Sequence, residues 1–248
     1  MTGPFLNLSA YAFVALDKLR ARRDALHRQA LSHGLKGTVL LAEEGINLFV
    51  AGPERGVRDW LAQLRQDPRL AAIDAKESWS DARPFRYLRV KVKPEIIRMN
   101  QPQVQPGRGR APAIDAATLA RWLDAGQDDS GRELLLLDTR NGFEVDAGAF
   151  AGAIDWRLKK FSDFPAALAA HRDQLAGRTV VSYCTGGIRC EKAALAMRDA
   201  GLDNVYQLDG GVLRYFERLP AAPHWQGRCF VFDGRDTLGA DLAPAEAC

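Results

Sequence analysis

Apolar and polar positions follow two rhythms along the chain, one of period two and one near 3.6, and the rhythm breaks where proline and glycine accumulate. Ser9–Leu16 is a short apolar stretch of strand type. In Asp17–His33, Leu19, Leu26 and Ala30 recur on one helical face, and Gly34 supplies a stop. Lys36–Ala42 and Ile46–Ala51 read as strands joined by Glu43-Glu44-Gly45, a hairpin signal. Pro53–Asp67 returns to the helical rhythm, with Val57, Trp60, Leu61 and Leu64 on one face. A weaker extended stretch covers Lys76–Trp79. Tyr87–Lys93 then alternates strictly, with Leu88, Val90 and Val92 on one side and Arg89, Lys91 and Lys93 on the other. The order β-α-β-β-α-β predicts a ferredoxin-like domain over residues 1–99, closed by the strand at Tyr87–Lys93.

Asn100–Pro112 interrupts the pattern with three Pro, two Gly and Val104 as its one large aliphatic residue. It can neither continue a helix nor serve as a central strand, so residues 100–113 read as a linker or a strap over a surface. Beyond it the pattern alternates again. Ile114–Ala125 is helical, with Asp115 near its start. Glu133–Asp138 is an unbroken Leu run ending in a carboxylate, as in a buried parallel strand. A short turn and strand at Ala149–Ile154, a helix at Pro165–Leu175, a buried strand at Arg178–Tyr183, a helix at Glu191–Ala200 and a strand at Val205–Leu208 follow. Strands alternating with helices predict a parallel α/β domain over residues 114–220, with 221–248 as a tail.

Composition agrees with two globular domains: 248 residues, 47% hydrophobic and 26% charged. The longest apolar run, Ala10–Leu16, is far short of the ~20 residues that span a bilayer. The N-terminus lacks the basic start and long apolar stretch of a signal peptide. These features predict a cytoplasmic protein without a membrane partner. Cys184, Cys190, Cys229 and Cys248 form no Cys-x-x-Cys pair and do not cluster with the four His, so neither a disulfide scaffold nor a metal site is expected. The charge is uneven. Residues 1–110 carry 19 Lys+Arg against 11 Asp+Glu, a net +8, and residues 111–248 carry 15 against 20, a net −5. Arg86, Arg89, Lys91, Lys93 and Arg98, with Arg108 and Arg110 in the linker, form a surface suited to phosphates. The other reading is an edge strand protected by charge against aggregation.

The chemistry concentrates where the strand Arg178–Tyr183 ends, in Cys184-Thr185-Gly186-Gly187-Ile188-Arg189-Cys190. Ligands of parallel sheets bind at the carboxyl ends of strands. Two glycines let the loop curl its N–H groups towards one point, the following helix adds its positive end, and Arg189 adds a charge. A thiol there ionises below its free pKa of ~8.5, which makes Cys184 a candidate nucleophile. Cys190 either resolves an oxidised Cys184 as a disulfide or packs beneath the loop as a small apolar residue. The Cys-x4-Arg spacing is one residue shorter than a phosphatase cradle and better suits a terminal sulfur on the cysteine.

This loop resembles the active-site loop of rhodaneses. Asp138-Thr139-Arg140 with Glu144 resembles the supporting Asp-x-Arg…Glu turn of that fold, and Leu208-Asp209-Gly210-Gly211 resembles its closing segment. With Lys36–Ala42 running into Glu44-Gly45-Ile46-Asn47 ahead of it and Trp225-x-Gly-x-Cys229-Phe230-Val231-Phe232-Asp233 behind it, the whole chain is similar to the rhodanese-like tRNA uridine hydroxylases. The longer members carry a cysteine-rich C-terminal extension, whereas here only Cys229 and Cys248 follow the rhodanese-like stretch. The resemblance implies oxygen-dependent formation of 5-hydroxyuridine at tRNA position 34, with Cys184 in the active site. Its partner would be tRNA rather than DNA and its co-substrate molecular oxygen. No facial triad or dinucleotide fingerprint is present in the sequence, so no cofactor is identified. The loop by itself equally suits a sulfurtransferase carrying a cysteine persulfide, and an RNA-binding adaptor with a vestigial rhodanese domain is a third reading.

Overall fold

The computed structural model describes residues 4–245, so Cys248 and the end of the tail lie outside the described residues. The chain divides into two compact units, one of residues 4–98 with Phe232–Asp236, the other of Met99–Val231 with residues 237–245.

In the first unit, β1 (Phe5–Phe13), α1 (Leu19–Ser32), β2 (Lys36–Ala42), β3 (Gly45–Pro53), α2 (Glu54–Leu64), β4 (Ala75–Ser80) and β5 (Leu88–Val92) follow in order. The sheet order is β4-β1-β3-β2-β5, with β5 parallel to β2 and the other pairs antiparallel. Leu6, Leu8, Leu48 and Val50 from the sheet bury against Val57, Trp60, Leu61 and Leu64 of α2, whose i, i+3, i+4, i+7 spacing is one helical stripe. Each such side chain contributes about 1.5–3 kcal/mol of burial.

Two expectations change. The first strand begins at Phe5, four residues before Ser9, because it pairs with β3 over its whole length, from Phe5 opposite Pro53 to Phe13 opposite Gly45. Its inward set is Leu6, Leu8 and Ala10. The closing strand of the ferredoxin-like arrangement is Ala75–Ser80, the stretch with the weaker pattern. It takes the edge beside β1, so the strongly alternating Leu88–Val92 becomes a fifth strand at the β2 edge. There Gly37 donates its N–H to Tyr87 O at 2.9 Å, and Lys93 donates its own to Leu41 O at 2.8 Å. The Glu44–Asn47 string pins the chain beyond β5, since Ile96 N–H donates to Glu44 Oε1 at 2.7 Å and Asn47 Nδ2 donates to Ile96 O at 3.1 Å. Part of the expected tail belongs with this unit: Arg235 pairs with Asp233 and donates to Ser78 Oγ at 2.7 Å.

The second unit runs β6 (Ala113–Ile114), α3 (Ala116–Ala125), β7 (Leu134–Asp138), α4 (Gly142–Ala147), β8 (Gly148–Phe150), β9 (Ile154–Asp155), α5 (Phe164–Leu175), β10 (Thr179–Tyr183), α6 (Ile188–Asp199), β11 (Val205–Leu208), α7 (Gly211–Arg218), β12 (Trp225–Gly227), β13 (Cys229–Phe230) and β14 (Thr237–Leu238). Its main sheet, β6-β11-β10-β7-β9, is entirely parallel. The segment expected as a linker is part of this unit. Val104, Pro106 and Ala111 are buried, and Gln207 donates its N–H to Pro112 O and its side-chain amide to Ala111 O. Among the described residues, no helix is long and apolar enough to cross a membrane.

Candidate active site

Parallel pairing assembles the site. Tyr183 and Asp138 are register partners at the carboxyl ends of β10 and β7, and Thr139 donates both its N–H and its Oγ1–H to Tyr183 O at 3.0 and 2.9 Å. The Asp138–Glu144 turn is thereby brought against the loop that opens at Cys184.

In that loop only Gly186 is half-exposed, while Cys184, Thr185, Gly187, Ile188, Arg189 and Cys190 are buried. Gly187 adopts φ 98° as the residue that starts α6, and its N–H donates to Cys184 Sγ at 3.2 Å. The N–H groups of Arg189 and Cys190 converge on the same sulfur, and so does the Cys190 thiol. Burial pushes the Cys184 thiol up. The Cys190 hydrogen bond, the Arg189 charge and the backbone donors together outweigh it and hold Cys184 below the ordinary cysteine range. Cys190 moves the other way, raised by burial and by donating to the Cys184 sulfur. The carbonyls of the loop are taken by α7, as Val212 and Leu213 donate to Cys184 O and Thr185 O at 3.0 Å each. Gly211 makes this approach possible, because a Cβ there would lie 2.4 Å from Cys184 O.

Arg189 is not an open charge. Its Nη1 and Nη2 donate to Glu144 Oε2 and Oε1 at 2.6 and 2.7 Å, and Nη2 also reaches Thr185 Oγ1 at 3.3 Å. Burial raises the Glu144 carboxyl, but Arg189 and the Asn141 N–H hold it below the usual carboxylate range. Asp138 and Arg140 form a second buried pair, with Arg140 Nη2 at 2.6 Å from Asp138 Oδ2 and at 2.7 Å from Gly148 O. The Arg140 guanidinium lies over the rings of Tyr183 and Trp225 at 5.5 and 5.2 Å, so this pair braces the sheet end rather than facing a ligand.

The sequence reading left two neighbours of the loop without a role and misplaced a third residue. Cys229, in the tail, is buried and interacts with Thr185, and burial pushes its thiol up to about 12. Phe143 sits one position before Glu144 and packs edge-to-face on Phe230 at 5.1 Å. Arg110, expected to meet phosphate, pairs with Glu191 at 2.8 Å and lies 3.8 Å from Asp209. Lys192, three residues beyond Arg189, is buried. These partners are 44 residues apart for Cys229 and Thr185, and 81 for Arg110 and Glu191, beyond any local spacing signal.

In the first unit Arg86, Arg89, Lys91, Lys93 and Arg98 are all exposed, as is Arg108 in the second. Arg86 and Arg89 flank the exposed Tyr87 ring at 5.2 and 5.9 Å. Leu88 and Val90 pack on the core, whereas Val92 is exposed at the strand end.

A parallel sheet whose central strand delivers a cysteine into a glycine loop backed by an Arg–Glu pair defines a rhodanese-type domain. Residues 115–217 match the Rhodanese-like domain family, and residues 5–96 match the UPF0176 acylphosphatase like domain. Three proteins similar over almost the whole chain carry the name tRNA uridine(34) hydroxylase. That of Variovorax paradoxus is 59% identical, with 98% of this chain and 92% of that protein covered. That of Bordetella petrii is 59% identical, with 98% and 96% covered, and that of Ralstonia nicotianae 54%, with 97% and 85%. The chain belongs to the tRNA uridine(34) hydroxylase family.

Proposed function

We propose that this enzyme hydroxylates uridine 34 of tRNA at C5, with Cys184 as the reacting thiol and molecular oxygen as co-substrate. The observation that carries the reading is the buried Cys184 sulfur, ringed by the N–H groups of Gly187, Arg189 and Cys190 and biased towards thiolate. A thiolate adds to C6 of uracil and moves electron density to C5. The C5 carbanion equivalent takes up dioxygen and a proton. Two thiol groups of a low-molecular-weight reductant then supply two electrons and two protons, becoming a disulfide, and the O–O bond splits into a C5 hydroxyl and water. Loss of the C5 proton expels the Cys184 thiolate and restores the ring. Family membership supports this hydroxylation over persulfide transfer. The exposed basic edge at β5 supports tRNA as the polyanion bound, and an unpaired anticodon base suits a loop site better than paired DNA does. The cytoplasm, where tRNA is found, is the expected location.

Nucleoside mass spectrometry of a tRNA transcript treated with the purified protein and dithiothreitol tests it. Wild-type protein is expected to form 5-hydroxyuridine in air and none without oxygen. A thiolated base in place of the hydroxylated one would return the sulfurtransferase reading, and full activity of Cys184→Ser would remove the thiol from the mechanism.

A further inference from the structure

Two sulfurs meet at the head of α6. Cys184 and Cys190 are both fully buried, and the Cys190 thiol donates to the Cys184 sulfur alongside its own backbone N–H. The approach follows from the loop. Gly187 turns at φ 98° and starts α6, its N–H reaches Cys184 Sγ at 3.2 Å, and Cys190 sits in the first turn of that helix. Helical side chains lean back towards the N-terminus of their helix, which aims the Cys190 thiol at the loop. Hydroxylation through Cys184 needs two electrons at the peroxide stage. At that stage the base is bonded to Cys184, and within the loop only Gly186 is half-exposed. A free thiol arriving from solvent has to share that opening with the nucleotide, whereas Cys190 is already in contact with the reacting sulfur.

We propose that Cys190 is the immediate reductant of the C5 hydroperoxide and ends as a disulfide with Cys184. The proposal rests on the hydroxylase reading and adds to it the group that delivers the electrons. The peroxide on C5 is one ring bond from the C6–sulfur bond, beside the Cys190 thiol. The Cys190 sulfur attacks the terminal oxygen, the O–O bond breaks, the sulfur becomes a sulfenic acid, and its proton goes to the oxygen left on C5. Loss of the C5 proton breaks the C6–sulfur bond and returns the electron pair to Cys184. The Cys184 thiolate then attacks the Cys190 sulfur, the S–S bond forms, and hydroxide leaves as water with the proton from C5. The two sulfurs have lost two electrons, and dioxygen has become one hydroxyl and one water. The low-molecular-weight thiols act last, reducing the disulfide by exchange. Charge sets the order of events. Before attack, burial, the hydrogen bond to Cys184 and the charge of its sulfur hold the Cys190 thiol up, against Arg189 and Thr139. Bonding of Cys184 to C6 removes that charge, so the pull of Arg189 and Thr139 towards thiolate is then opposed by burial alone.

The test uses the full chain, reduced and then freed of reductant, mixed in air with excess tRNA transcript carrying uridine 34. Wild type is expected to form about one 5-hydroxyuridine per protein and stop, a burst set by the stored thiols. In step with product, the tryptic peptides ending at Arg189 and beginning at Cys190 become joined by a disulfide, while protein kept in air without tRNA stays reduced. Dithiothreitol restores repeated turnover. Cys190→Ser keeps a donor to the Cys184 sulfur but no oxidisable sulfur, and is expected to lose the burst at least about 10-fold, as is Cys190→Ala. A full burst from the Ser variant, a wild-type burst with both thiols still free, or the same disulfide formed as fast without tRNA overturns the proposal. So does wild-type protein that turns over with dithiothreitol yet gives no burst, a result that leaves the hydroxylase reading standing. No product under either condition defeats that reading and this proposal with it.

Discussion

Arginine serves opposite ends in the two units. Along β5 of the first unit, Arg86, Arg89, Lys91 and Lys93 stand in water, where ion pairs contribute only about 0–1 kcal/mol and the charges remain available to a polyanion. Around Cys184 in the second unit, Arg140 and Arg189 are buried and committed to Asp138 and Glu144 at 2.6 Å. Their charges cannot be offered to a phosphate without stranding a carboxylate, so they act on what lies inside: the turn after β7 and the sulfur of Cys184. Exposure, not residue type, separates charges open to solvent from charges that shape a thiolate.

Removing the sulfur is the severest way to break this contrast. Cys184→Ser is expected to abolish 5-hydroxyuridine formation while melting within a few degrees of wild type, because the hydroxyl fits the space but stays protonated. Residual turnover above a few per cent would sink the thiolate mechanism. Next in size is Glu144→Ala, which leaves Arg189 buried without its carboxylate and is expected to cost about 3–5 kcal/mol in denaturant unfolding. An equal loss on replacing the exposed Arg89 by Ala would erase the distinction between the units.

The edge strand sets the third effect. Replacing Arg89, Lys91 and Lys93 together by Ala is expected to flatten the log-log salt dependence of tRNA binding by about two to three units, with stability unchanged. Arg110→Ala, which removes a charge already paired with Glu191, is expected to leave that slope alone. If the Arg110 variant alters the slope and the triple variant does not, the tRNA surface lies on the strap and not on β5.

In the Cys184 titration Cys190 gives the smallest effect. Loss of its S–H donor in Cys190→Ala is expected to shift the Cys184 thiolate absorbance titration to higher pH, and Cys190→Ser to restore it. Coincident titrations of the Ala variant and wild type would remove Cys190 from the setting of that pKa. The linkage has opposite signs for two thiols of this site. Folding lowers the Cys184 pKa, so its ionisation adds stability above the unfolded value of ~8.5, and that gain is lost as pH falls through the folded value. Cys229 is raised to about 12, so its contribution is complete below ~8.5 and disappears as pH climbs towards 12.

Local periodicity suffices for α2, where Val57, Trp60, Leu61 and Leu64 define one stripe, and for the hairpin of β2 and β3. The string from Cys184 to Cys190 likewise announces its loop, because two glycines and a strand end are neighbours in the chain. Which strand closes the ferredoxin-like sheet is not local. The alternation of Leu88–Val92 is cleaner than that of Ala75–Ser80, yet β4 wins the place beside β1 and β5 goes to the far edge. The same holds for charge. The sequence places Arg89 and Arg189 on equal terms as cations, and Arg110 beside them. Only the fold brings Glu144 to Arg189 across 45 residues, Glu191 to Arg110 and Phe230 to Phe143. A side chain's rotamers and charge are written in its own residue, whereas its partners and its exposure to water depend on pairings between strands far apart in the chain, and these exist only once the parallel sheet has formed.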